Sequence, residues 1–265
     1  AGYVGAARLR RSNCVILTDT DLFPPGTVSL NGLKIYGEES GKVISYAATM
    51  AHASQSGLSR LFDTLLEGEG GRLEPLDDLS FYEEGGVSGL IHGETVLFGT
   101  AAFCRKMHVT MPGGLSLKTG AFLAVDGTLI AVFAVKYTAA ENVDWALHAL
   151  KRSRITPVLA VRDGSITPAL LKRKFGTDAR AVYPTISTRL ALSEKDGEHP
   201  YALLYREGLM PYAEIAVGSK RLVHAVRVAT VLSLGSSAVS ALLAFYLTFV
   251  GAYSALTPVS MLLYL

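Results

Sequence analysis

The sequence predicts an α/β chain: a parallel-sheet domain interrupted by an inserted α+β domain and followed by a membrane segment. Three observations carry this expectation. "CVILTDTD" (14–21) is an apolar run closing on two aspartates, the form of a buried strand that brings acids to its carboxyl end. After Val135 the pattern becomes helix, strand, helix, strand, the order of a parallel sheet. From Val228 to Leu265 there is no charged residue. The stretch 228–250 has the length needed to cross a hydrocarbon core of roughly 30 Å.

In chain order, "AARLRRSN" reads as the end of a helix leading into the first strand, and "TVSLNGLKIYGE" as a strand or hairpin. "KVISYAATMAHASQSGLSRLFDTLLEGEG" carries helical periodicity with a Gln-Ser-Gly break, so two helices are expected. Short strands follow in "LSFYEE", "GVSGLIHG", "ETVLFGT" and "TGAFLAVDGTLIAVFAV", the last with Asp126-Gly127 as its hairpin turn. "FGTAAFCRKMHV" opens a helix between them. Then come an amphipathic helix ("NVDWALHALKRSR", Trp145 on its core side), a strand ("ITPVLAVRD"), a helix with Pro at its start and Gly past its end ("TPALLKRKFG"), and a strand ("ARAVYP"). The parallel-sheet domain is therefore placed at 1–28 and 133–218 and the insertion at 29–132. The membrane region is placed at 219–265, with a span at about 228–250 and the start of a second at 258–265. Lys220, Arg221, His224 and Arg227 precede the span, which assigns residues 1–227 to the cytoplasm. The chain opens on Ala without a signal peptide, as a segment of a longer membrane protein would.

The balance of 25 Lys+Arg against 23 Asp+Glu, without a long run of one sign, argues against a nucleic-acid partner. Cys14 and Cys104 lack metal or disulfide spacing and read as buried reduced thiols. The six histidines show no paired spacing.

Ligands of open parallel sheets bind beyond the carboxyl ends of the strands. Asp19 ends the first strand and Asp163 ends "VLAVRDG", so the two carboxylates should converge there, as a nucleophile and as ligands of Mg²⁺. Gly85, Gly86 and Gly89, in "EEGGVSGL", allow close approach of backbone to a ligand or a tight turn between strands.

On these residues the chain resembles the P-type ATPases, specifically the heavy-metal-transporting branch, of the haloacid-dehalogenase-like superfamily. "NCVILTDTDLFPPGTV" stands in the place of the phosphorylation strand and its Asp-Lys-Thr-Gly-Thr motif. "AATMAHASQSGLSRLF" is similar to the helix carrying Ser-Glu-His-Pro, and "EEGGVSGLIHGETVLFGTAAF" to the glycine-containing nucleotide-binding stretch. The resemblance implies a haloacid-dehalogenase-like parallel-sheet domain with a nucleotide-binding-like insertion, ATP bound near Gly85, Gly86 and Gly89, and Mg²⁺ at Asp19 and Asp163. It also implies a lipid bilayer and further membrane helices of a parent protein as partners.

The departures fall on the chemistry. Thr20, Asp21, Leu22 and Phe23 replace Lys-Thr-Gly-Thr after Asp19, Ser56-Gly57 replaces His-Pro, and Val161-Arg162-Asp163 replaces Thr-Gly-Asp. Pro24-Pro25 removes two N–H donors, and the Gly-Asp-Gly-x-Asn-Asp motif is missing. Losing one electrostatic group costs roughly 10²- to 10³-fold in rate. A catalytically degenerate module with a structural, regulatory or ligand-sensing role is therefore the first expectation. The alternative is a Mg²⁺-dependent phosphatase or ATPase with Asp19 as nucleophile and Asp21 as acid/base. It would draw on Lys172 or Lys174 for charge and on Asp196 or Glu198 for metal. A third is a membrane-anchored module that binds nucleotide through the 85–89 glycines.

Overall fold

The computed structural model describes residues 3–112, 119–176, 180–194, 204, 206–251, 257, 259 and 262. Its elements are α1 (Tyr3–Leu9), β1 (Cys14–Leu17), α2 (Asp19–Leu22), β2 (Val28–Ile35), α3 (Ser40–Ala53), α4 (Ser59–Gly68), β3 (Asp77–Tyr82), β4 (Gly86–Ile91) and β5 (Glu94–Gly99). They continue with α5 (Ala101–Lys106), β6 (Gly120–Val125), β7 (Thr128–Tyr137), α6 (Glu141–Arg152), β8 (Thr156–Leu159), α7 (Pro168–Phe175), α8 (Ile186–Ser193) and α9 (Leu209–Phe249). Two compact units result, one of residues 12–214 and one of residues 1–11 with 215–265.

Within the larger unit an antiparallel sheet runs β2-β7-β6-β5-β4-β3. Alternation along its strands separates two apolar faces. Phe98 and Phe133 meet Phe62 of α4 edge to face, at centroid distances of 5.4 and 4.9 Å. Their neighbours Leu97 and Val132 point to the other face, with Phe103 and Cys104 of α5. With both faces covered, β6 is buried at every position, which explains its unbroken apolar run. Asp126 and Gly127 both take positive φ (48° and 78°) and close the β6–β7 hairpin as their sequence requires. β7 continues to Tyr137, past residue 132.

β1 and β8 pair in parallel, Cys14 with Thr156 through Leu17 with Leu159. "ARAVYP" adds less than the strand expected of it: Val182 makes a single parallel bridge to Val158. Thr167 caps α7, Pro168 starts it and Gly176 ends it at φ 59°. In α6, Val143, Ala146, Leu147 and Leu150 form the buried face. Trp145 falls outside that spacing and is 46% exposed, so it is not a core residue. Cys104 is buried, whereas Cys14, at an outward position of β1, is exposed, contrary to expectation.

α9 is one helix of 41 residues. At 1.5 Å per residue it is about 60 Å long, twice a hydrocarbon core. It begins ten residues before the membrane boundary expected at 219 and carries the polar stretch 209–227 and the apolar stretch 228–249 without a break. Its apolar window has a mean hydropathy of 1.9 and is unburied; among the described residues it is the one helix long and apolar enough to cross a membrane. The second span expected at 258–265 lies outside the described residues except for Val259 and Leu262.

Candidate functional site

β1 delivers Asp19 to the first position of α2, where its side chain is buried. The carboxylate accepts main-chain hydrogen bonds and borders a pocket of about 230 Å³ lined also by Thr18, Gln55, Ser56 and Ser193. Gly57 N–H donates to Oδ2 at 3.0 Å, Arg162 N–H reaches both oxygens at 3.2 Å, and Asp163 N–H reaches Oδ1 at 3.3 Å. Gly57 packs so closely that a Cβ there would lie 2.7 Å from the Asp19 Cβ. Asp163 is equally buried; it accepts from the Tyr137 hydroxyl on Oδ2 and from Ser165 N–H on Oδ1 at 2.8 Å. The structure thus brings together the two acids expected to converge, across 144 residues of chain.

Their environment disfavours charge. Burial first, and then the neighbouring Asp163 carboxylate, push Asp19 from 3.8 up to about 7 against the pull of three N–H donors. Burial also raises Asp163, opposed by the Tyr137 hydroxyl and Ser165. Burial and the Asp163 charge hold the Tyr137 phenol well above 10, so it stays a donor. Two like charges in one dry site do not both ionise, and the pair titrates as a unit.

Asp21 is used elsewhere. Its Oδ2 accepts from both the backbone N–H and the hydroxyl of Thr18, each at 2.8 Å, the reciprocal half of a capping box that closes α2. Lys172 is exposed and Lys174 half-buried. Asp196 and Glu198 lie outside the described residues.

The 85–89 glycines form a turn and a strand rather than an open loop. Gly85 makes the β3–β4 turn at φ 81°, while Gly86 and Gly89 lie in β4 opposite Gly99 and Val96. Their free space is taken by the protein itself. A Cβ on Gly85 would sit 2.6 Å from the Gly164 Cα, one on Gly86 2.0 Å from the Phe103 ring, and one on Gly89 2.6 Å from Leu76. Between Gly85, Gly86, Gly99 and the 162–165 segment there remains a cavity of about 30 Å³. That is room for about one water, against hundreds of Å³ for a nucleotide-sized ligand. A larger groove, about 860 Å³, passes Asp21, Pro24, Pro25, Ser59 and Arg60.

Both oxygens of Asp19 and both of Asp163 accept from an N–H or O–H donor, and among the described residues no group of three His, Cys, Asp or Glu could hold a metal ion.

Three participants escaped the sequence reading. Gly57 covers Asp19. Arg162, whose side chain is 8% exposed, is tied to Ser193 Oγ at 3.0 Å, the Ser54 carbonyl at 3.3 Å and Glu194 at 3.0 Å. Arg189 is fully buried; it donates to the Val161 carbonyl (3.1 Å) and the Tyr183 hydroxyl (2.8 Å) and lies 3.7 Å from Glu83. Glu83 in turn accepts from Ile186 N–H at 2.6 Å, so the β3–β4 turn is fastened to α8 as well as to Gly164. No motif marks these contacts; apart from Arg189 with Tyr183, six positions away, each joins residues remote in sequence.

No protein-family model matches the chain, and no curated protein sequence matches it. Solved structures are similar to it. The N-domain of HMA8, a copper-transporting P-type ATPase, is 16% identical, with a TM-score of 0.35 over 40% of this chain and 98% of that one. The catalytic domain of the CPx-ATPase CopB-B is 14% identical, with a TM-score of 0.43 over 69% and 64%. A zinc-transporting PIB-type ATPase is 12% identical, with a TM-score of 0.35 over 66% and 29%. The chain therefore spans 64% of the CopB-B domain and 29% of the zinc transporter.

Proposed function

We propose that this chain is the cytoplasmic module and membrane helix of a P-type-ATPase-like protein with a haloacid-dehalogenase-like core, degenerate in its catalysis and serving a structural, regulatory or ligand-sensing role. One observation carries the reading: the carboxylate in the nucleophile's place is 5% exposed, and both of its oxygens already accept from main-chain N–H groups. A phosphorylated aspartate needs a cation to neutralise the incoming phosphate. Asp19 has instead a second buried acid as its neighbour, and the Arg162 guanidinium is engaged by Ser193, Ser54 and Glu194. The commitment of Asp21 to the Thr18 capping box weighs against the phosphatase alternative. The closed contact between Gly85 and Gly164 weighs against nucleotide at the glycine stretch in this conformation. In this reading residues 1–227 lie on the cytoplasmic side, α9 spans the bilayer, and other helices of a parent protein surround it.

The test is phosphorylation. The full chain, incubated with γ-labelled ATP and Mg²⁺ and quenched in acid, is expected to carry no hydroxylamine-sensitive label. Label that Asp19→Asn abolishes would overturn the proposal.

A further inference from the structure

The pocket beside Asp19 has a chemistry of its own. It measures about 230 Å³, below the roughly 300–1,000 Å³ of sites for drug-sized ligands. It lies wholly within the 12–214 unit, beyond the carboxyl ends of β1 and β8, where ligands of parallel strands bind. Its wall carries four hydroxyls and an amide, from Thr18, Thr20, Ser56, Ser193 and Gln55. Among the described residues Ala160 is its one aliphatic side chain, which leaves little for an apolar guest.

The polar groups are unevenly used. The Ser56 hydroxyl has no hydrogen-bond partner among the described residues, although the residue is only 8% exposed. A buried hydroxyl left so costs free energy that a bound partner recovers. Gln55, exposed at the rim, is held there by a left-handed backbone (φ 50°), a strain of the kind found at ligand sites. Thr20 is also exposed, and Thr18 donates its hydroxyl proton to Asp21 and so keeps only acceptor lone pairs. Arg162 lines the pocket too, but its guanidinium is engaged by Ser193, the Ser54 carbonyl and Glu194. An anion calls for donors and a cation for acceptors. Hydroxyls and an amide do both, and so match a guest made of hydroxyl groups.

We infer that this pocket binds a small uncharged polyhydroxylated molecule of monosaccharide size, held by Ser56 and Gln55. The inference gives the ligand-sensing role a ligand class and rests on that reading. The full chain in a phosphocholine detergent, which has no sugar headgroup, is titrated with D-xylose and with D-glucose. Binding is read by saturation-transfer NMR from protein to sugar protons. Transfer to at least one of the two is expected. Ser56→Ala should weaken binding about fivefold, the worth of one hydrogen bond, without lowering the unfolding temperature of the sugar-free protein. Thr20→Trp, at an exposed position of the rim, should block it, and decides alone if Ser56→Ala does not fold. No transfer to either sugar, or transfer unchanged by both substitutions, would overturn the inference. Displacement of the sugar by equimolar inorganic phosphate would overturn the uncharged class and make the pocket an anion site. Each of these failures leaves the loss of catalysis standing, since only phosphorylation of Asp19 overturns that reading.

Discussion

The two ends of the β1–β8 pair handle charge in opposite ways. At the carboxyl ends Asp19 and Asp163 are buried side by side, and their oxygens accept from N–H and O–H donors. At the amino ends Lys151, Arg154 and Arg180 stand exposed around an open pocket. A buried charge has to be neutralised by protonation or fixed dipoles, and it then serves the fold. An exposed charge stays ionised, adds little to stability and can meet a partner from solution. The carboxyl end is expected to govern folding, and the amino end to tolerate loss of its charges.

The largest expected effect breaks the acid pair. Asp19 has a folded pKa of about 7 against 3.8 when exposed. Between those values the folded protein keeps a proton that the unfolded chain has lost, so this contribution is complete at low pH and falls away as pH rises to about 7. At 1.36 kcal/mol per unit the loss is on the order of 4 kcal/mol. Asp19→Asn does not titrate there. Its thermal unfolding in detergent should be flatter from pH 4 to 8, and it should exceed the parent's stability at pH 8. A parent that gains stability relative to the variant over that range would show Asp19 to be ionised and stabilising.

A smaller effect is expected at the seal. A Cβ on Gly164 would lie 2.2 Å from the Gly85 Cα and 2.5 Å from its carbonyl oxygen, backbone against backbone. Gly164→Ala should therefore cost about 1–3 kcal/mol and speed amide exchange at residues 85–89. Unchanged exchange would mean that the contact is not tight in solution. Next comes Tyr137→Phe, which removes the hydroxyl that donates to buried Asp163. A cost of about 1–2 kcal/mol in urea unfolding is expected, growing with pH as Asp163 loses support for its ionised form.

Much of this was legible in the sequence, because local rules decided it. The β6–β7 turn, the caps of α7 and the paired helices α3 and α4 follow from residues within a few positions of each other. The convergence of Asp19 and Asp163 follows from the topology of parallel strands, which sends both carboxyl ends to one edge. What stayed hidden was set by tertiary contact. "GGVSGL" reads as a ligand loop or as a turn between strands; the turn forms, and only tertiary contact places Phe103 and Gly164 in the space that its glycines leave. "STRLAL" gives no sign that Arg189 is fully buried. The Gln-Ser-Gly break announced the gap between two helices, not that Gly57 would close over Asp19. Trp145 and Cys14 were assigned by residue type, and helix or strand phase overruled it.

The smallest expected effect concerns the amino end and separates the two roles most cleanly. Arg154 takes a left-handed conformation that glycine adopts freely, so Arg154→Gly removes strain as well as charge. If the arginine served the fold, its loss would destabilise the protein. If it does not, relief of the left-handed strain should make the variant more stable by about 0.5–1 kcal/mol in thermal unfolding. Gain of stability would mark the Arg154 side chain as one the fold does not need. Loss of stability would place the amino end with the carboxyl end, and the contrast between them would fail.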